Sequence, residues 1–189
     1  SKYVLFCSVP HKRKQFYSIF ARKSVTCLIQ IRIAYRLEIN MDLIRAFSER
    51  FNELIVYAGT SPKKMSAELK HNIHDIYHWK SGTARFMPSL KNIIKLADYF
   101  NCSIEFLLGI DDENKLPNPK KQLPDFGVQF KKVLKEKGSN LYRLSIQAGC
   151  KNTSPYYDWI NGKSMPRIDS LYKISKALDC SIDYILGRE

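Results

Sequence analysis

Two histidines spaced four residues apart are the side chains of this sequence with the clearest chemical potential. His74 and His78 would lie on one face of a helix and, with Asp75, spell H-D-x-x-H, a spacing at which two imidazoles can bind one metal ion. A hydrolytic zinc site also needs a glutamate as general base and a third ligand, and the sequence indicates neither. We favour the alternative that the two histidines are exposed on one face of the helix and bind no metal. We therefore predict no metal site and no cofactor.

The rest of the sequence contains no further catalytic motif. It has no glycine-rich phosphate loop, no nucleophile elbow and no paired-cysteine motif. Its five cysteines are odd in number and widely spaced, which favours buried free thiols over a disulfide framework. We predict that the protein is not an enzyme.

The histidine segment leads into a pattern that occurs twice. Residues 102–109 read CSIEFLLG and residues 180–187 read CSIDYILG. Before each octapeptide stand Trp-x-x-Gly, Met-Pro and an amphipathic segment, over residues 79–101 and 159–179. Several matching elements at nearly constant spacing indicate a repeated domain.

Each octapeptide predicts a short helix that is capped at both ends. A serine suits the N-cap, an acid follows in the first turn, and a glycine suits the left-handed position after the last turn. These residues are Ser103, Glu105 and Gly109 in the first copy and Ser181, Asp183 and Gly187 in the second.

Apolar spacing and capping residues predict further helices before each octapeptide. In the first copy Ile44, Phe47, Phe51 and Leu54 share one face, Thr60 or Ser61 caps a helix with Pro62 in its first turn, and Asn72 caps a helix that begins at Ile73. In the second copy a helix with Phe126 and Phe130 ends at Gly138, Ser139 caps the next, and a cap near Asn152 opens a helix that ends at Trp159. Because proline is tolerated only in the first turn, Pro155 requires this helix to begin near Asn152 or Thr153.

The chain is divided by these patterns into four parts: residues 1–40, 41–110, 111–124 and 125–189. The third part is polar, contains prolines and lacks periodicity, which is typical of a linker. Within the first part, residues 29–40 alternate between apolar and other side chains and predict one β-strand. The alternative is that translation starts at Met41 and the preceding residues have no evolved structure.

The net charge of +13 is unevenly distributed, since residues 1–40 hold eight lysines and arginines and one acid. The two repeated parts are only mildly basic, so bulk charge alone does not predict nucleic-acid binding by them. No apolar run approaches the ~20 residues of a membrane span, and we expect no membrane association.

Both repeated parts resemble the five-helix Cro/repressor-type helix-turn-helix domain, also called the XRE or lambda-repressor-like family. The first is similar to it at Met65, Ser66, Leu69, His71, Asn72, Ile76, Trp79, Gly82 and Pro88. The second is similar at Leu144, Ser145, Ala148, Gly149, Cys150, Asn152, Tyr156, Trp159, Gly162, Pro166 and Gly187. The sequence departs from the family where Lys70 replaces the usual turn glycine. The resemblance implies an all-α fold of two such domains, joined by a linker and preceded by the basic N-terminal extension.

This resemblance also implies which residues contact double-stranded DNA, because the second helix of the motif enters the major groove. The implied base-reading residues are Ile73, His74 and His78 in the first domain and Thr153, Ser154 and Asp158 in the second. The implied phosphate-binding residues are Ser61, Lys80, Ser81 and Arg85 in the first domain and Asn140, Lys151, Asn161 and Lys163 in the second.

We expect from the resemblance a cytoplasmic transcriptional regulator of bacterial or phage type, a repressor associated with the nucleoid. Relatives bind inverted half-sites as dimers, so both a homodimer and a pseudo-dimer within one chain remain open. The alternative function is an interaction module of the antitoxin kind, in which the same fold binds a protein partner.

Overall fold

The structure is a computed structural model that describes residues 42–84, 86–116, 118–120, 122–150 and 152–189. All described residues belong to one compact unit, residues 40–189. The strand predicted at residues 29–40 therefore lies outside the described residues. Every regular element within the described ranges is an α-helix, as the sequence predicts. None of the described helices is long and apolar enough to cross a membrane.

In the part of the chain that the structure describes, ten helices follow one another in two similar series. The first half of the described chain contains α1 (42–57), α2 (Pro62–Leu69), α3 (Ile73–Ser81), α4 (Leu90–Tyr99) and α5 (Ile104–Leu107). The second half contains α6 (Phe126–Glu136), α7 (Leu141–Gln147), α8 (Ser154–Ile160), α9 (Ile168–Leu178) and α10 (Ile182–Leu186).

Each half buries stacked aromatic side chains from its first helix. The predicted face of α1 is confirmed, because Ile44, Phe47, Phe51 and Leu54 are all buried. The ring centroids of Phe47 and Phe51 lie 5.5 Å apart, and those of Phe126 and Phe130 lie 5.6 Å apart. Such stacking adds to the apolar burial that holds short helices together.

Most of the predicted helix boundaries are confirmed by capping contacts. The side chains of Ser61, Asn72, Ser103 and Ser181 each accept a hydrogen bond from a backbone N–H in the first turn of the following helix. Helix α8 begins at Ser154 and has Pro155 in its first turn. Gly109 and Gly187 adopt φ values of +67° and +73°, the left-handed conformation predicted for them.

Three details of the sequence prediction are wrong. The cap of α7 is Asn140 and not Ser139, because Asn140 Oδ1 accepts from Arg143 N at 2.9 Å. Helix α8 ends at Ile160, one residue beyond Trp159. Cys150 is exposed, although Cys102 is buried as expected.

The two halves contact each other through their last helices, α5 and α10. Asp183 Oδ2 on α10 accepts a hydrogen bond from the backbone N–H of Ile104 at the start of α5, at 2.7 Å. In return, Glu105 Oε1 on α5 accepts from the backbone N–H of Ile182 at the start of α10. Each short helix therefore supplies an acceptor for an N-terminal N–H of the other, which would otherwise have no partner within its own helix.

The segment between the halves is attached to both of them. Asn114 Oδ1 accepts from Ser103 N at 2.9 Å, and the backbone N–H of Lys120 donates to the carbonyl oxygen of Arg188 at 2.8 Å. Its described residues form no helix, as the composition predicts.

Candidate nucleic-acid interface

The turn between α2 and α3 is fixed by side-chain contacts. Lys70 adopts φ +48°, a left-handed conformation that favours glycine. This conformation explains why glycine is usual at this position in the family that the sequence resembles. Ser66 Oγ donates to the carbonyl oxygen of His71 at 2.7 Å, and the His71 ring stacks on Trp79 with 4.9 Å between centroids. These contacts set the direction in which α3 leaves the turn.

Helix α3 has one buried face and one exposed face. Ile76 and Trp79 are buried in the core of the first half. With 3.6 residues per turn, the opposite side of the helix carries four side chains, and all four are exposed: His74, Tyr77, His78 and Ser81. Ile73 is half-buried at the start of the helix. The structure therefore brings the two predicted histidines together on an accessible surface.

The environment of His74 and His78 contains no acidic or thiol cluster. His78 Nδ1 lies 3.4 Å from Thr83 Oγ1, which in turn forms a 2.6 Å hydrogen bond with Ser81 Oγ. Within the described residues, no group of three or more His, Cys, Asp or Glu side chains is arranged to hold a metal ion. The imidazoles are thus available for hydrogen bonding to an external molecule.

Two side chains of α1 form hydrogen bonds to the C-terminal end of α3. Ser48 Oγ donates to the carbonyl oxygen of Lys80 at 2.9 Å, and Asn52 Nδ2 donates to the same oxygen at 2.7 Å. A carbonyl in the last turn of a helix lacks an intrahelical donor, so these bonds satisfy it. They also fix the position of the exposed face of α3 relative to the core.

Helix α8 in the second half repeats this arrangement with other residues. Asn152 Oδ1 accepts from Ser154 N at 2.7 Å, as Asn72 Oδ1 accepts from His74 N at 2.9 Å. Tyr156 and Trp159 are buried, with ring centroids 5.1 Å apart. Of the predicted base-reading residues in this half, Ser154 is exposed, whereas Thr153 and Asp158 are half-buried.

The predicted phosphate contacts lie at helix ends around these two faces. Ser61 and Asn140 are the N-caps of α2 and α7, and each keeps a free donor because its oxygen is the atom that accepts the capping hydrogen bond. Ser81, Asn161 and Lys163 are exposed beside the C-terminal ends of α3 and α8, and Lys80 is half-buried there. Arg85 and Lys151 lie outside the described residues.

Two tyrosines on the exposed faces were not identified from the sequence. Tyr77 on α3 is 51% exposed and Tyr157 on α8 is 54% exposed. They hold equivalent positions, two residues before Trp79 and Trp159. The only signal in the sequence is this shared position, which apolar periodicity alone would assign to either the edge of the core or the surface.

The loops that follow α3 and α8 meet at one junction. Met87 and Pro88 from the first loop and Met165 and Pro166 from the second line a common cavity of about 630 Å³. The Arg167 guanidinium lies 5.7 Å from the centroid of the Phe86 ring, across this junction. The exposed faces of α3 and α8 are therefore connected through short loops to one point between the halves.

A comparison with known families identifies a domain within the second half of the described chain. A family model described as Helix-turn-helix matches residues 147–185, which extend from the last residue of α7 into α10. No curated protein and no solved structure matches the chain. This match indicates a DNA-binding domain of the kind found in transcriptional regulators, and it does not include the first half.

Proposed function

We propose that this chain is a sequence-specific DNA-binding regulator of the XRE type, with a helix-turn-helix domain in residues 41–110 and another in residues 125–189. In this proposal α3 and α8 are the recognition helices, each of which enters a major groove. The observation that carries it is the matching pair of short helices, each with a buried aromatic face and an exposed polar face. The family match over residues 147–185 supports the assignment for α8.

The predicted base-reading side chains have the chemistry that base reading requires. His74 and His78 can donate to guanine acceptors, and the methyl groups of Ile73 and Thr153 can contact the thymine methyl group. Ser154 can donate or accept, whereas ionised Asp158 can only accept, for example from a cytosine amino group. The two helices therefore prefer different base sequences, and the complete site consists of two unlike half-sites.

In this proposal the residues at the helix ends contact the phosphates of the DNA backbone. Lys80 and Lys163 supply charge for phosphate contacts, and Ser61, Ser81, Asn140 and Asn161 supply neutral donors. Arg85 and Lys151 are the remaining phosphate-binding residues of the proposal. Such a protein represses transcription by covering its operator, in a bacterial nucleoid or on phage DNA, and needs no cofactor for this.

Selection from a randomised duplex library tests this function. The chain is incubated with the library at about 150 mM salt, where nonspecific binding is already weak. We expect enrichment of one sequence, and we expect the double variant His74→Ala/His78→Ala to lose preference in one half-site. Lys95→Ala, an exposed change on α4, serves as the control. A folded chain that enriches no sequence would contradict the proposal and would direct the search to a protein partner.

A further inference from the structure

A fully buried arginine occupies the contact between the two halves. The Arg188 side chain has no exposed surface, and its Nη1 pairs with Asp183, whose side chain is 1% exposed. Its Nη2 lies 2.7 Å from Asp98 Oδ1, at the end of α4 in the other half. The same nitrogen lies 3.5 Å from the carbonyl oxygen of Cys102. One guanidinium therefore joins an acid of its own half to an acid and a carbonyl of the other half.

This arrangement has no counterpart on the other side of the contact. When Cys102 is aligned with Cys180, Arg188 corresponds to Ile110 and Asp98 corresponds to Lys176. The carboxylate that corresponds to Asp183 is Glu105, which bonds to the Ile182 N–H. The reciprocal helix caps are thus symmetric, whereas the charges beside them are not.

Pairing of two like halves would place these charged groups beside residues that do not neutralise them. Two second halves in the same arrangement would bring Arg188 of one against Lys176 of the other, with the guanidinium buried. Two first halves would leave Asp98 facing Ile110, with no cation for it. In both cases a charged group at the contact loses the opposite charge that Asp98 and Arg188 provide for each other, and such a loss is far more costly for a buried group than for an exposed one.

We infer that Arg188 makes the two halves of this chain specific for each other, so that one chain closes on itself and does not pair through α5 or α10 with like halves of a second copy. The segment between the halves supports closure within one chain, because the Lys120 N–H donates to the carbonyl oxygen of Arg188 itself. If the proposed DNA binding also holds, one chain suffices for two half-sites. The pairing itself does not depend on DNA and is tested without it.

The test uses the whole chain with a specific protease site inserted after the exposed Gln122. The uncut protein is expected to have the mass of one chain, 22.0 kDa plus the insertion, in sedimentation at all concentrations. After cleavage, native mass spectrometry, which separates the fragments by mass, is expected to show one first half bound to one second half. A mass of two chains before cleavage, separation of the wild-type fragments, or complexes of like fragments would overturn the inference.

Two variants separate the role of charge from that of general packing. Asp98→Lys places a cation beside the buried guanidinium and is expected to raise the dissociation constant of the cut fragments at least about a hundredfold. Lys176→Ala changes the corresponding exposed residue and is expected to have little effect. Equal effects of the two variants would overturn the inference. Circular dichroism checks folding, and Asp98→Asn, which keeps an oxygen for the guanidinium, replaces Asp98→Lys if the latter does not fold.

The double variant Asp98→Lys/Arg188→Ile provides a second, independent outcome. It reproduces on one side of the contact the combination of Ile110, Lys176 and an acid that already exists on the other. We expect its fragments to regain association and to form pairs of like halves as well as unlike pairs. Association that recovers with full selectivity for unlike pairs would show that Arg188 does not determine the pairing.

Discussion

The carbonyl oxygen of Ile160 lies only 2.4 Å from the point that a β-carbon on Gly127 would occupy. Gly127 is buried in α6 and Ile160 ends α8, so this is where α8 rests on the first helix of its half. In the first half the corresponding residues are Ser48 and Lys80, which are joined by a 2.9 Å hydrogen bond. The same contact is thus made by close approach in one half and by a side-chain donor in the other.

Gly127→Ala is expected to destabilise the protein although alanine favours helices. The added methyl group would overlap the Ile160 backbone, and overpacking of this kind costs about 1–3 kcal/mol, more than the gain of up to about 1 kcal/mol in helix propensity. The free energy of unfolding in urea measures the change. Val128→Ala, on the next and exposed residue, is the control, and a stabilised Gly127→Ala protein would contradict the close contact.

Removal of both donors to the Lys80 carbonyl is expected to loosen α3. The double variant Ser48→Ala/Asn52→Ala leaves this oxygen without the two side-chain bonds, at a cost of about 1–3 kcal/mol of folding free energy. Because the end of α3 is then less well fixed, we expect binding to the half-site proposed for α3 to weaken more than binding to the other. Hydrogen exchange of the α3 amides and footprinting of each half-site report these two effects, and equal loss at both half-sites would argue against the mechanism.

The two exposed tyrosines are expected to contribute to DNA recognition. Truncation of Tyr77 or Tyr157 to alanine removes a large side chain from the exposed face of its helix, and we expect affinity for the selected duplex to fall about tenfold, a loss of about 1.4 kcal/mol. Fluorescence anisotropy measures the affinity. Tyr57→Ala, which removes a 92% exposed tyrosine at the end of α1, is the matched control and is expected to bind normally.

The salt dependence of DNA binding is expected to identify the charged phosphate contacts. Each lysine that neutralises one phosphate contributes about 0.9 to the slope of log K against log salt concentration. Lys80→Gln and Lys163→Gln are therefore each expected to lower the slope by about this amount, whereas Ser61→Ala is expected to weaken binding without changing it. Lys135→Gln, an exposed change in the last turn of α6, should leave both unchanged.

The pH dependence of stability is expected to report on Glu105. Burial is the main cause that raises the pKa of its carboxyl group, and the nearby Asp183 also raises it, whereas the hydrogen bond from Ile182 N–H lowers it; the resulting pKa is about 7. The folded protein thus holds this proton to higher pH than the unfolded chain, so the contribution to stability is full at low pH and is lost as pH rises towards about 7. Glu105 lines a cavity, and the other ionisable groups that line it are Asp111, Lys115, Tyr172, Lys176, Asp179, Cys180, Asp183 and Glu189.

Glu105→Gln keeps an oxygen for the Ile182 N–H and does not ionise. Its free energy of unfolding, measured in urea between about pH 5 and pH 8, is expected to fall less with rising pH than that of the wild type, by an amount on the order of 2 kcal/mol. Identical pH profiles would mean that Glu105 ionises in the folded protein as it does in the unfolded chain.

Local signals explain which parts of the fold were predictable. The starts of α2, α3, α5 and α10 follow from a capping side chain and a nearby apolar period, and both lie within a few residues of the boundary. Pro155 fixed the start of α8 for the same local reason. The cap of α7 was misplaced by one residue because Ser139 and Asn140 have similar cap preferences, and only backbone geometry distinguishes them.

Contacts between distant residues were not predictable in this way. Arg188 and Asp98 are 90 residues apart, and nothing near either of them in the sequence indicates a buried pair. Arg188 would be expected at the surface, as most arginines are. Likewise, the exposure of Tyr77 depends on the angle at which α3 rests on α1, which the contacts of Ser48 and Asn52 determine.

The reciprocal caps of α5 and α10 also bear on the order of events during synthesis. Ile104 and Asp183 are 79 residues apart, so the first half emerges from the ribosome well before its partner. At roughly 5–20 residues per second, α5 remains uncovered for about 4–16 s. During that interval the first half exposes an apolar helix and an Asp98 that has no cation beside it. The second half of the same chain covers both before a second copy of the chain can, because it is tethered nearby.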